Sequence, residues 1–128
     1  MAEFKTLLAV GDMADKNVVT IKETETIKKS AAKMKSKNTG SLLVIGKTGK
    51  ITGIVTEQDI VRRGVASGKD LAATAISKIM TKKPIVIDHT ESIFEAKKIM
   101  ADKKIMHLIV VKEEKPVGIF TAGAVIKS

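Results

Sequence analysis

Residues 53–59 read Gly-Ile-Val-Thr-Glu-Gln-Asp, and they hold the side chains best suited to ligand chemistry. Val55 ends an apolar run and Glu57 opens a helical pattern, so Thr56 stands where a strand becomes a helix. Unpaired N–H groups and the positive end of the helix dipole make such a junction a seat for phosphate. The Thr56 hydroxyl would add a donor. Asp59, one turn in, offers a carboxylate that can accept two hydrogen bonds from a vicinal diol such as that of ribose. Gly53 lets the backbone pass close to another group. The tetrad also has a purely structural meaning, because Thr at the N-cap with an acid three residues on makes a capping box. The two readings are compatible in part, since a capping threonine can also face a ligand. Arg62 and Arg63 follow by one turn, as a phosphate contact or as a solvated helix end.

The elements that position these residues occur twice. The phrase returns at 118–124 as Gly-Ile-Phe-Thr-Ala-Gly-Ala, with Ala124 in place of the aspartate. A slide of 66 residues lays Ile21 on Ile87, Met34 on Met100, Leu42 on Leu108 and Val44 on Val110; past residue 50 the slide is 65. A single one-residue gap in a turn therefore aligns two copies of one unit. Each copy opens with a short β-branched strand, at 18–21 or 85–87. A helix follows, capped by Thr24 or Thr90, with an apolar stripe of Ile27, Ala31 and Met34 or Ile93, Ala96 and Met100. Continuous apolar runs at 41–45 and 107–111 read as buried strands, and 51–55 and 116–120 as their return strands. A helix closes each unit, at 57–65 and 122–127. The order is βαββα. One three-stranded sheet of this size cannot cover both its faces, so an α+β fold is expected in which the two copies pack with pseudo-twofold symmetry. Residues 1–66 then form the first repeat with its lead-in, 67–76 a linker, and 77–128 the second repeat, with 70–80 helical.

Composition narrows the chemistry. The 128 residues suit one compact domain or two small ones sharing a core. There is no Trp or Tyr and there are three Phe, so the core is aliphatic and the stacking platform used for single-stranded nucleic acid is missing. The net charge of +9 draws phosphate-bearing partners of any kind without choosing among them. The lysines spread around the predicted helices rather than forming one stripe. The absence of cysteine removes disulfide and thiolate chemistry and suits a cytoplasmic protein. No apolar run nears the ~20 residues of a membrane span, and the first residues do not read as a signal peptide. Residues 41–48 nearly spell a P-loop, but the first glycine is Ser41 and Gly46-Lys47-Thr48 opens a hairpin rather than a helix. His89 and His107 lack metal-ligand spacing. No nucleophile, base and orienting group assemble around any serine, which argues against an enzyme.

From about Met13 onward the chain resembles a tandem pair of cystathionine-β-synthase (CBS) domains, a Bateman module. The family's signature is a strand ending Gly-apolar-apolar-Ser/Thr-x-x-Asp that runs into a helix, once per repeat. Residues 53–59 fit it in full, and Ser77-Lys78-Ile79-Met80 matches the lead into a repeat's first strand. The resemblance implies a regulatory, energy-sensing module without catalysis or required cofactor. Its ligand would be adenosine-containing, such as AMP, ADP, ATP or S-adenosylmethionine, in a cleft shared by the repeats. Thr56 would then meet phosphate and Asp59 the ribose, with Gly40 and Ser41 near the phosphate end. The adenine would lie against Pro84, Ile85, Ile105 and Met106. His107 stands where relatives often carry a basic group facing phosphate, although a strand-start histidine is an equal account. A second cleft, lined by Thr20, Thr39 and Thr121, lacks its aspartate. Hydrogen bonds to a charged group are worth roughly 1.5–3 kcal/mol each, so ribose binding there should be weaker by about 10- to 100-fold or more. The resemblance also implies a homodimer and a separate effector protein that reads the ligand. The alternative is a basic nucleic-acid-binding protein on the same scaffold.

Overall fold

A computed structural model describes residues 8–121. In chain order it contains α1 (Val10–Met13), β1 (Thr20–Lys22), α2 (Ile27–Lys37), β2 (Ser41–Ile45), β3 (Ile51–Thr56) and α3 (Glu57–Asp59). There follow β4 (Thr81–Lys82), β5 (Val86–Asp88), α4 (Ile93–Lys103), β6 (His107–Lys112) and β7 (Lys115–Thr121). The architecture is α+β, with two separate sheets and short helices. The closing helix expected at 122–127 lies outside the described residues, as does Ala124.

Packing divides the chain differently from the repeat boundaries read in the sequence. One compact unit is Val19–Pro84; the other joins residues 8–18 to 85–121. Each unit builds its own sheet. In the first, β1 runs parallel to β2, β2 antiparallel to β3, and β3 antiparallel to β4. In the second, β5 runs parallel to β6 and β6 antiparallel to β7. Each sheet carries one amphipathic helix on an apolar core, aliphatic in the first unit and built around the buried Phe120 in the second. Ile27 and Met34 of α2 pack with Leu42, Val44 and Val55, and Ala96 and Met100 of α4 pack with Leu108, Val110 and Phe120.

The segment that leads into each repeat completes the sheet of the other. Residues 75–82 close the first unit. Ile76 donates its N–H to the Glu25 carbonyl at 2.7 Å, and Ile54 of β3 pairs with Thr81. Residues 9–15 do the same for the second unit. Val10 donates to the Glu91 carbonyl at 2.7 Å, and Asp15 and Ile119 exchange two N–H···O bonds of 2.9 Å. The repeated glycine makes this possible. A Cβ on Gly53 would stand 2.5 Å from the Met80 sulfur and 2.8 Å from the Thr81 carbonyl oxygen, and one on Gly118 would stand 2.8 Å from the Ala14 Cβ. The close backbone approach expected at Gly53 is therefore to its own unit's edge segment.

Two local expectations change. Residues 70–80 form turns and one 3₁₀ turn, Ile76–Lys78, rather than a helix. Their backbone groups are committed elsewhere: the carbonyls of Thr74 and Leu71 accept from Ile27 and Lys28, satisfying the first-turn donors of α2. The helix caps are Thr26 and Ser92, whose hydroxyls accept from Lys29 N–H at 3.1 Å and Glu95 N–H at 3.0 Å, not Thr24 and Thr90. Thr90 is held two residues upstream instead, donating its backbone N–H and hydroxyl to the Asp88 carboxylate.

Candidate functional site

The first-repeat candidates come together where β2 begins and β3 ends. Ser41 and Thr56 face each other across the antiparallel pair. Gly40, just before Ser41, accepts a hydrogen bond at its carbonyl from Glu57 N–H at 3.0 Å. The turn at Thr56 is a full capping box. Asp59 N–H donates to the Thr56 hydroxyl oxygen at 3.3 Å, and Thr56 N–H donates to Asp59 Oδ2 at 2.9 Å. The Thr56 hydroxyl donates to the same carboxylate oxygen at 3.1 Å. The helix then widens into a π-helical stretch, Ile60–Val65, with Ala66 N–H reaching the Val61 carbonyl at 2.8 Å. Arg63, four residues on, stands beside the aspartate. Its Nε stands 3.8 Å from Asp59 Oδ1, while its terminal nitrogen donates to the carbonyls of Ile79 and Met80.

This geometry allots the aspartate's two oxygens to different tasks. Oδ2 is occupied by the cap. Oδ1 has an ionic neighbour at 3.8 Å, beyond hydrogen-bond length, and so keeps lone pairs for an incoming hydroxyl. The Asp59 side chain is 15% exposed, enough to be reached and little enough for a hydrogen bond to count. The phosphate side is less open. Glu57 N–H and Asp59 N–H already have partners, and the Thr56 hydroxyl proton is directed at Asp59. Glu57 also lays its carboxylate over Gly40, with Oε1 only 2.6 Å from where a Cβ would stand. Arg62 is exposed and is not the residue that pairs with Asp59. Arg63 is that residue, signalled in the sequence by its i, i+4 spacing. The role of Glu57 at Gly40 had no signal in the sequence.

The remaining candidates lie as follows. Pro84 ends the first unit, half-buried. Thr20 opens β1, and its carbonyl accepts from the Lys33 ammonium. The Thr39 hydroxyl donates to the Ser41 carbonyl at 3.1 Å. A groove of about 480 Å³ runs beside this corner, lined by Lys35, Thr39, Gly40, Glu57 and Ile60 among others. In the second unit His107 pairs with Thr121 across β6 and β7, the counterpart of Ser41 and Thr56. Ile85 and Ile105 pack on the core, while Met106 is 56% exposed. Among the described residues no group of three or more His, Cys, Asp or Glu side chains could hold a metal ion. Nor is any helix among them long and apolar enough to cross a membrane.

Fold and site together define a duplicated α+β domain pair, with a strand–threonine–helix corner in the first copy and the matching strand end, Thr121, in the second. The CBS domain family profile matches twice, over residues 10–66 and 76–128. The chain belongs to the CBS-domain family. It is 33% identical over 115 residues to an uncharacterized protein of Methanopyrus kandleri, MK0525, covering 89% of this chain and 59% of that protein. The chain thus spans little more than half of that relative's length. A solved structure of an uncharacterized conserved protein from Pyrococcus horikoshii superposes with a TM-score of 0.84, at 26% identity, covering 95% of this chain and 92% of that one. The CBS domain pair of protein MJ0100, solved with 5′-methylthioadenosine and S-adenosyl-L-methionine, superposes with a TM-score of 0.81. Its identity is 25%, and 94% of each chain is covered.

Proposed function

We propose that this chain is a regulatory module that binds an adenosine-containing ligand, with Asp59 accepting hydrogen bonds from the ribose hydroxyls. The observation that carries the reading is the split carboxylate: one oxygen is held by Thr56 and the other keeps acceptor capacity. The related domain pair bound to two adenosine compounds supports the ligand class. AMP, ADP, ATP and S-adenosylmethionine are the candidates. The crowding of the Thr56 turn by its own chain, with Glu57 beside Gly40, favours ligands with little negative charge next to the ribose. Gly40 and Ser41 belong to the same proposed site. So do Pro84, Ile85, Ile105 and Met106 on the base side, and His107 and Arg62 as phosphate contacts. The absence of a nucleophile–base set suits regulation without catalysis. A homodimer and a separate effector protein complete the proposal.

Calorimetry with AMP, ATP, S-adenosylmethionine, 5′-methylthioadenosine and 2′-deoxyadenosine tests it. The ribose reading expects at least one ribonucleoside compound to bind and the 2′-deoxy compound to bind more weakly by about tenfold. No heat from any of them at millimolar ligand would sink the proposal. Light scattering that returns the mass of one chain would remove the homodimer.

A further inference from the structure

We propose that the second unit carries an anion site for a phosphate group, built from Lys16, His89 and Lys112, whose occupation pins the lead-in segment 9–16 onto its sheet. A cavity of about 390 Å³ opens between that segment and the β6–β7 hairpin end, and these three residues line it together with Thr90. Lys16 belongs to the lead-in, His89 and Thr90 to the turn after β5, and Lys112 to the end of β6. Three nitrogen-bearing side chains from three segments thus face one space.

The first repeat supplies an internal control. The repeat alignment lays His89 on Glu23, Lys112 on Gly46 and Val117 on Thr52. The equivalent corner of the first unit is also open, a cavity of about 370 Å³ lined by Glu23, Thr24, Gly46 and Lys47 among others, but there the acid has a partner within its own unit. The Thr52 hydroxyl donates to Glu23 Oε1 at 3.2 Å, and that oxygen lies 3.2 Å from where a Cβ of Gly46 would stand. In the second copy the acid is an imidazole, its hydroxyl partner is a valine, and the glycine is a lysine. All three differences remove the self-contained contact, and two of them move the corner towards positive charge.

Two acids stand nearby, each accepting hydrogen bonds from its own chain, against three nitrogen-bearing side chains. Asp12 also lines the cavity, but its Oδ2 accepts from Ala9 N–H at 3.3 Å. Asp88 accepts from the Thr90 N–H and hydroxyl and also feels the charge of His89. Among the described residues, neither Lys16, Lys112 nor His89 forms an ion pair with a carboxylate. A phosphate group presents several acceptor oxygens at once and can meet ammonium groups from opposite walls, which a single carboxylate does less well. The lead-in is already laid directly on His89: a Cβ on Gly11 would stand 3.0 Å from the His89 carbonyl oxygen. An anion bridging Lys16 to Lys112 would bind only the docked lead-in and so would stabilise it.

The test uses the full chain and the imidazole NMR signals of His89, separated from those of His107 by assignment. Inorganic phosphate, AMP and adenosine are titrated at ionic strength held constant with chloride. The expected result is a saturable His89 shift with phosphate and with AMP, none with adenosine, and slower exchange of the Gly11 amide. Lys16→Gln and Lys112→Gln, both at exposed positions, should each weaken phosphate binding by about three- to tenfold. Asp59→Asn should leave it unchanged, which separates this site from the proposed ribose site. Phosphate giving no more than the chloride background overturns the proposal. So does equal affinity in both lysine variants, or an equal response to adenosine. Unchanged Gly11 exchange in the phosphate-bound protein overturns the pinning.

Discussion

Asp59 does two things that substitution can separate. In the folded chain its carboxylate caps the Thr56 turn; for a ligand it would accept ribose hydroxyls. Asp59→Ala removes both. The N–H of Thr56, a residue 8% exposed, then loses its partner, and a donor left unsatisfied in such a place costs about 1–3 kcal/mol. Asp59→Asn keeps one oxygen to accept from Thr56 N–H and should cost under about 1 kcal/mol. At roughly 4 °C of melting temperature per kcal/mol for a chain of this size, the alanine variant should melt about 4–12 °C low and the asparagine variant within about 4 °C of the parent. Binding should rank them differently. With its oxygen on the cap, the substituted amide would present an N–H₂ group to the ribose and lose at least one charge-assisted hydrogen bond. That loss is about 1.5–3 kcal/mol, or roughly 10- to 150-fold in affinity. Thermal unfolding and calorimetry on the three proteins decide the matter. If the asparagine variant binds adenosine ligands within twofold of the parent, Asp59 acts through the cap alone and the ribose assignment falls.

Three further perturbations probe the scaffold. Gly53→Ala would drive a methyl group against the Thr81 carbonyl oxygen as well as the Met80 sulfur, and should cost about 1–3 kcal/mol in thermal unfolding; a variant as stable as the parent would contradict the close approach of the edge segment. Glu113 and Glu114 turn the β6–β7 hairpin at φ values of 52° and 68°, so Glu113→Asn with Glu114→Gly should raise stability by about 1 kcal/mol, with a failure to raise the melting temperature counting against that strain. The hydroxyl of Thr90, then its N–H, hold the Asp88 carboxyl below its usual range. A folded pKa below the unfolded one adds stability above the unfolded pKa that is lost as pH falls through the folded value. The stability gap between the parent and Asp88→Asn should therefore narrow on acidification below about pH 4.

Periodic and duplicated features were legible in the sequence because local chemistry repeats when a fold repeats. The strands at 41–45 and 51–55, the stripe Ile27, Ala31, Met34 and the capping geometry of Thr56 and Asp59 all followed from spacing. The family resemblance rested on the same residues, and the family profile bears it out. What sequence missed was tertiary. Thr24 and Thr26 are equally good cap residues by type. The choice of Thr26 is set by bonds from residues 74–76 to the strand–helix turn, which no local pattern encodes. The helical pattern at 70–80 was overridden because those backbone groups are bonded to α2 and its approach. Arg63 rather than Arg62 reaches Asp59, and that much the i, i+4 spacing did signal.

The exchange of lead-in segments gives the repeated phrase its division of labour. Every letter that returns at 118–121 has a structural task visible in the second unit. Gly118 admits Ala14 and Asp15, Ile119 exchanges hydrogen bonds with Asp15, and Thr121 pairs with His107. Gly53, Ile54 and Thr56 have the same tasks against Met80, Thr81 and Ser41. A glycine selected for this edge contact is kept wherever the fold is kept, whether or not a ligand binds nearby. The aspartate is different. Its cap strengthens a turn already tied down by Glu57 N–H on the Gly40 carbonyl, so a stable scaffold tolerates loss of the cap alone. Physical necessity therefore weighs little on Asp59, one of the two positions, with Glu57, where the two copies of the phrase differ in charge. That is where a role beyond folding is most readily placed: at Asp59 Oδ1, the oxygen the cap does not use.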